Sequence, residues 1–360
     1  MQIGIAGLPG AGKTTVFNAL AHANVQVGTF SSALGEPNRA VVKVPDQRVD
    51  VLTDMFKPKS IKPAEVQYVD VAGLAKGAGL ESAAAILGHL RTVDALLLVV
   101  GAHEPSSSAT SVISDLESIG AEFILADLDV VERRVDRLDR EVRMSRGTDV
   151  ERQTKARELE LLRRLNEALN RETPIRELEL SRDDEHLLRG YALLTAKPAL
   201  AIVNGGDDPA ANEAVATAIR ERRPFGLGLA LAMAGSLEME LAELDEAEAQ
   251  EFMESMGIVE LSAGRVINAS YGLLDLISFL TAGADEVRAW TLRRGGTAVD
   301  AAAVIHSDLA RGFIRAEVVS YEDLVETGSF VEARRHGKLR SEGKTYLVQD
   351  GDVVNILFNV

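Results

Sequence analysis

The sequence predicts an α/β protein: a mostly parallel sheet flanked by helices, interrupted by a long antiparallel helical hairpin and followed by a small α+β module. Three observations carry this. The apolar run Gln2-Ile3-Gly4-Ile5-Ala6 leads through a glycine-rich loop into the helical pattern Val16-Phe17-Asn18-Ala19-Leu20, a strand-to-helix order that builds parallel sheets. Ile124, Leu128, Val131, Val135, Leu138 and Val142 follow the spacing of a heptad seam. Beyond about residue 278 short strand-like runs resume, with Asp350-Gly351-Asp352 as a turn signal.

Composition narrows the classes. The 360 residues leave room for two or three domains and a sizeable core. Aromatic residues make up only 4%, so Leu, Val, Ile and Ala must fill that core. There is no cysteine, which excludes disulfides, thiolate metal sites and a cysteine nucleophile. The six histidines are scattered and form no spaced ligand pair. A net charge of −16 argues against a surface that coats nucleic acid, so any RNA contact must come from a local basic patch. No basic segment followed by an apolar run stands at the start, and no signal peptide is expected. The longest apolar run, 95–101, is far shorter than the roughly 20 residues that span a bilayer. A cytoplasmic protein, not embedded in membrane, is expected.

The first loop is Gly7-Leu8-Pro9-Gly10-Ala11-Gly12-Lys13-Thr14-Thr15, a P-loop between strand and helix. Backbone N–H groups of such a loop, with the positive end of the helix dipole, form an anion site. Gly10, Ala11, Gly12, Lys13, Thr14 and Thr15 are therefore expected to cradle nucleotide phosphates, with Lys13 on the β- and γ-phosphates and the Thr14 hydroxyl on Mg²⁺. Residues 28–38 read as a polar loop and 41–44 as a short strand. The next strand, 66–73, ends in Asp70-Val71-Ala72-Gly73. In P-loop hydrolases an Asp there supports Mg²⁺ and the glycine amide meets the γ-phosphate, which gives Asp70 and Gly73 their expected roles. The small, glycine-bearing segment 74–82 reads as a switch loop and 95–100 as a buried parallel strand.

The heptad helix is expected to turn at Ser145-Arg146-Gly147 and return along Leu159, Leu162 and Leu169. Arg133, Arg137 and Arg140 on its surface read as a solvated face interleaved with acids, or as a docking arm. Ser181 to Asp184 is a capping box for a helix expected to reach about Thr195. Strand 198–203 then returns to the sheet and ends in Asn204-Gly205-Gly206-Asp207, a turn-former cluster where base-reading asparagines stand. Residues 225–233 read as a strand leading to a second base-contacting loop at Ala234 and Gly235, and 241–256 as an acidic helix. In the last module 287–292 and 353–358 read as strands, 297–305 as a helix, and Tyr346-Leu347-Val348 as the hairpin partner of 353–358. Arg311, Arg315, Arg334, Arg335, Lys338, Arg340 and Lys344 gather there as the candidate electropositive surface.

In this order the motifs resemble the Obg-like ATPases of the YchF family, over nearly the whole chain. The match runs through Gly7-Leu8-Pro9 to Thr14, Glu36-Pro37-Asn38, Asp70-Val71-Ala72-Gly73-Leu74 and Asn204. It is most specific in Phe279-Leu280-Thr281-Ala282-Gly283, Glu286 to Thr291, Gly312-Phe313-Ile314-Arg315-Ala316 and Asp350-Gly351-Asp352-Val353, which look like the family's TGS domain. The resemblance implies a P-loop NTPase domain at 1–113 and 196–277, an inserted helical coiled coil at 114–195, and a β-grasp TGS domain at 278–360. It also implies slow Mg²⁺-dependent hydrolysis of ATP in preference to GTP, and a contact with the large ribosomal subunit or RNA through the TGS and helical faces. Several positions depart from the family pattern: Gly10-Ala11 stand where Asn-Val is usual, Leu34 where a switch Thr is usual, and Asp207 where the base motif usually ends in Glu. Two alternatives follow from these departures, a nucleotide-sensing module with little hydrolysis and a GTP-preferring GTPase. A small-molecule P-loop kinase is a third, disfavoured by the Asp-x-x-Gly strand and the TGS-like tail.

Overall fold

A computed structural model describes residues 1–22, 37–71, 80–103, 107–144, 148–242, 244–256, 258 and 260–359. Its strands among these residues are β1 (Gln2–Gly7), β2 (Asn38–Lys43), β3 (Ser60–Lys62), β4 (Glu65–Asp70), β5 (Ala95–Ala102), β6 (Ala199–Gly205), β7 (Ala230–Met233), β8 (Leu276–Ala282), β9 (Glu286–Arg293), β10 (Phe313–Ser320), β11 (Arg340–Glu342) and β12 (Asp352–Phe358). Two compact units divide the chain, the first built from Met1–Ala23, Val27–Ala40 and Gln67–Ala263, the second mainly from Val41–Val66 and Gly264–Val360.

The first unit holds the sheet β2-β4-β1-β5-β6-β7. Ile3 registers with Tyr68 and Ala95, Val99 with Ile202, and Val203 with Ala232, all in parallel pairs. Residues Ala95 to Val100 of β5 are almost wholly inaccessible, as a strand covered on both faces must be, which is why that run is apolar without alternation. Helix α1 (Lys13–His22) follows β1, and α2 (Gln47–Phe56) lies between β2 and β3. Helix α3 (Leu80–Thr92) precedes β5. The parallel pairing sets the C-terminal ends of β1, β4, β6 and β7 along one edge, where open α/β sheets bind ligands.

Two long helices, α4 (Ala109–Met144) and α5 (Asp149–Asn170), stand between β5 and β6. Ile124, Val131 and Leu138 of the seam are buried against Leu159, Leu162, Leu165 and Leu169, with Leu128, Val135 and Val142 packed around them. A Thr148–Glu151 capping box starts α5; the expected C-cap at 145–147 lies outside the described residues. The Ser181–Asp184 capping box forms too, but its helix, α6 (Arg182–Leu188), stops well short of Thr195. Ala192 takes φ +50°, and the amides of Leu194 and Thr195 bond the Asp127 carboxylate instead of a helical carbonyl. Likewise only Ala230–Met233 of the run 225–233 is strand, because Phe225 (φ +53°) turns its ring against Phe123 and Arg176. The acidic stretch 241–256 divides into the helices Gly235–Leu241 and Glu246–Met256.

The second unit is a mixed sheet, β11-β10-β12-β8-β9-β3, with β12 parallel to β8 and antiparallel to β10. Helix Ala298–Ile305, capped by Thr297 and Asp300, packs on it through Ala298, Ala301 and Ala302. This unit differs from the expected boundaries at both of its ends. Residues 47–62, from α2 through β3, belong to it: β3 pairs with β9, and Arg48 binds Asp350 at 2.9 Å. So do residues 264–277, where the Tyr271 hydroxyl bonds the Ile277 carbonyl and Thr291. The expected hairpin of 346–348 with 353–358 does not form. Asp350 accepts from the Ser278 amide and Asp352 from Gln349 N and Tyr346, which turns β12 onto β10 and β8, while Leu347 bridges Thr297. No described helix is long and apolar enough to cross a membrane.

Candidate nucleotide-binding site

The glycine loop sits at the C-terminal end of β1. Gly10 and Gly12 both take φ +81°, a left-handed conformation that side chains disfavour. At Gly12 the fit is also steric, since a Cβ there would lie 2.0 Å from Asn204 Nδ2. Lys13 is buried, and its Nζ donates to the Leu8 carbonyl at 2.9 Å across the loop. Burial lowers its pKa, with the nearby Asp70 carboxylate pulling the other way.

Thr14, the second residue of α1, donates from Oγ1 to Asp70 Oδ2 at 3.0 Å. Asp70 ends β4 and is 8% exposed. Burial raises its pKa against the stabilising pull of the Thr14 hydroxyl, Lys13 and the Asn38 side chain. Two hard oxygen ligands therefore converge, the Thr14 hydroxyl and the Asp70 carboxylate, and the protein under-compensates the charge of the latter. That donor set fits Mg²⁺, which binds through one or two protein oxygens and completes its shell with water and phosphate. Among the described residues no cluster of three acidic or histidine side chains competes as a metal site.

Asn204 stands at the end of β6, buried to 4% exposure. Its Nδ2 donates to the Ala11 carbonyl at 3.1 Å, and its Oδ1 accepts from the Gly235 amide at 3.1 Å. One carboxamide thus ties the phosphate loop to the loop after β7. Gly235 is confined by the same contact, as a Cβ there would come within 2.7 Å of Asn204 Oδ1 and 3.4 Å of the Thr15 methyl.

Residues 2–132 match a family described as "50S ribosome-binding GTPase", and residues 276–359 match the YchF C-terminal family, described as a protein of unknown function. The chain is 40% identical over 371 residues to the Ribosome-binding ATPase YchF of Bacillus subtilis, covering 100% of both, and 38% identical over 368 residues to that of Haemophilus influenzae, covering 100% of this chain and 99% of the relative. The structure of the Schizosaccharomyces pombe YchF GTPase superposes with a TM-score of 0.85 at 31% identity, covering 99% of this chain and 97% of that one. The chain belongs to the YchF family. It is thereby a member of the P-loop nucleotide hydrolases.

In this YchF protein the structure brings together Gly10, Ala11, Gly12, Lys13, Thr14, Asp70, Asn204 and Gly235, with Thr15, Gly205 and Ala234 adjoining them in the chain. Gly73 lies outside the described residues, as do Leu34 and Leu74. Asn38 beside Asp70 is a member that residue-level reasoning missed; its only signal was its place in Glu36-Pro37-Asn38. Five of the seven C-terminal basic residues stand in ion pairs. Arg311 pairs with Asp308, Arg334 with Glu317, Arg335 with Glu332, Lys338 with Asp323, and Arg340 with Glu342 and Asp352. Arg315 and Lys344 stay exposed outside these pairs. On the helical arm Arg133 and Arg137 bond Asp129 and Glu141 one turn away, and Arg140 the Asp136 carbonyl, as on a solvated helix face.

The sequence also gave no hint of Asp127. This wholly buried carboxylate on α4 accepts from Arg91 of α3 at 3.0 Å, from Leu194 N at 3.1 Å, and from Thr195 N and Oγ1 at 2.8 Å each. Arg91 also donates to the carbonyls of Ala126 and Ala192. The base of the helical arm is thereby fastened to α3.

Proposed function

We propose that the protein is a cytoplasmic, Mg²⁺-dependent nucleoside triphosphatase that prefers ATP, turns over slowly and contacts the ribosome. The observation that carries the phosphate chemistry is the Lys13–Thr14–Asp70 cluster at the mouth of the glycine loop. Lys13, drawn off the Leu8 carbonyl, would meet the β- and γ-phosphate charge, and the loop amides would hold the phosphate oxygens. Thr14 and Asp70 would hold Mg²⁺, which when bound neutralises developing phosphoryl charge. Gly73 would sense the γ-phosphate through its amide. Leu74 stands where Ras-like GTPases carry a water-orienting Gln, and an apolar residue there supports slow intrinsic turnover.

Asn204 supports the base site indirectly, by fixing the loops at 204–205 and 234–235 that would border the base. ATP preference rests on the relatives' name and on Gly205, which offers no side chain after Asn204. Calorimetric titration with ATP and GTP, each with Mg²⁺, tests it: tighter GTP binding would make the protein a GTPase. Single-turnover hydrolysis tests the enzyme reading; a bound but uncleaved nucleotide would leave a sensing module. The ribosome contact follows the relatives' name. Arg315→Glu with Lys344→Glu should weaken co-sedimentation with 50S subunits and flatten its salt dependence. Unchanged sedimentation would remove this face of the TGS unit from the reading.

A further inference from the structure

We infer that Asn212 is a positioning residue that sets which purine the site accepts, by pinning the turn that follows Asn204. The inference rests on the reading of this site as a nucleoside triphosphate site. Gly206, Asp207 and Asp208 lead from β6 into the helix Pro209–Arg222. Asn212, in the first turn of that helix, is 6% exposed, and its Nδ2 donates to the Gly206 carbonyl at 2.7 Å. Its carboxamide fills the space that a side chain at 205 would need: a Cβ on Gly205 would lie 1.8 Å from Asn212 Oδ1 and 2.1 Å from Cγ. A side chain at position 205 would therefore have to displace the Asn212 carboxamide from the Gly206 carbonyl, so Asn212 and glycine at 205 fit together beside Asn204. On the far side of the turn the Asp208 carboxylate accepts from the amides of Ala210 and Ala211 at 3.0 and 3.1 Å. Asp207 is held between these two anchors with its side chain exposed.

The chemistry of the bases gives this turn its consequence. Guanine presents two adjacent donors, N1–H and the 2-amino group, which one carboxylate can accept together. Adenine presents a donor beside an acceptor, which a carboxylate cannot match. Discrimination of this kind is large because the wrong base leaves polar groups unpaired. Asp208 is engaged as the helix cap, so Asp207 is the carboxylate of this turn that a guanine could recruit, and Asn212 fixes the backbone that carries it by holding the Gly206 carbonyl. Releasing the pin shifts the preference toward guanine.

The test is calorimetric titration of the full chain with MgATP and MgGTP, in the wild type, Asn212→Ala, Asp207→Ala and the double variant, with the ratio of the two dissociation constants as the readout. Asn212→Ala should move the ratio toward GTP by about fivefold, the worth of one hydrogen bond. Asp207→Ala should leave the wild-type ratio in place and abolish the shift in the double variant. Gly205→Ala should lower the melting temperature in the wild type and much less in the Asn212→Ala background, a steric coupling that needs no nucleotide. A ratio unmoved within roughly twofold in folded Asn212→Ala, or a shift that survives Asp207→Ala, overturns the role. Should Asn212→Ala not fold, Asn212→Ser is read in the same way. A wild type that binds neither nucleotide sinks the reading of the site itself, whereas binding with an unmoved ratio sinks only the role of Asn212.

Discussion

Replacing Asp127 by leucine should strip the base of the helical arm of its common acceptor. Four donors lose their partner: the Arg91 guanidinium, the amides of Leu194 and Thr195, and the Thr195 hydroxyl. Each buried donor left unmade costs roughly 1–3 kcal/mol, and breaking a buried ion pair on one side roughly 3–5 kcal/mol. These terms overlap, because Arg91 keeps the Ala126 and Ala192 carbonyls, so a loss of about 4 kcal/mol is expected. At about 2–4 °C per kcal/mol, the transition of the first unit should fall by roughly 8–16 °C in scanning calorimetry. Arg91→Leu alone should cost less, since Asp127 keeps three of its donors. The double variant should be no worse than Asp127→Leu, because one change has already removed what the other would break. A melting temperature of Asp127→Leu within about 3 °C of wild type would show that Asp127 does not hold the base of the arm.

Gly12→Ala should abolish nucleotide binding in a titration and lower stability by about 3 kcal/mol. The left-handed backbone costs roughly 1–2 kcal/mol with a side chain, and the added Cβ would displace the Asn204 carboxamide from Ala11 and Gly235. Wild-type affinity in that variant would contradict the loop geometry. Lys13→Met should stabilise the nucleotide-free protein near neutral pH, measured by urea unfolding, because burial disfavours the Lys13 charge. The sign follows from linkage: between the lowered pKa and 10.5 the unfolded Lys13 binds more proton than the native one, so this group's contribution to stability rises with pH. The margin of the Met variant should therefore shrink as the pH climbs through that window; a constant margin would show that burial does not perturb Lys13. Thr14→Val should leave the fold intact but remove the Mg²⁺ dependence of ATP binding in paired titrations with and without the metal, and an unchanged dependence would take Thr14 out of the metal shell.

The nucleotide end of the chain was legible because its signals are local. A strand, a glycine loop and a helix start are contiguous in sequence, and the left-handed angles at Gly10 and Gly12 are what those glycines announce. The heptad seam was equally readable, since a helix repeats its buried face at fixed spacing. What stayed hidden depends on distant partners. Asp127 looks like one more acid on a charged helix until the chain returns with Leu194 and Thr195. Segment 47–62 shows no change of composition, yet it serves the second sheet through the short strand at 60–62 and the Arg48–Asp350 pair. The run 346–358 carried a hairpin signal that side-chain bonds to Asp350 and Asp352 override. Five of the seven basic residues gathered in the C-terminal sequence stand in ion pairs, and for Arg334 and Lys338 the acid lies on a neighbouring element that the sequence does not place beside them.

The central claim, that Lys13 and the glycine loop form a triphosphate site, is tested most directly by calorimetric titration of wild type and Lys13→Ala with MgATP. The wild type should bind saturably and Lys13→Ala should lose at least roughly tenfold in affinity, as removal of a charged hydrogen-bond partner requires. Equal affinity in the two proteins would contradict that claim.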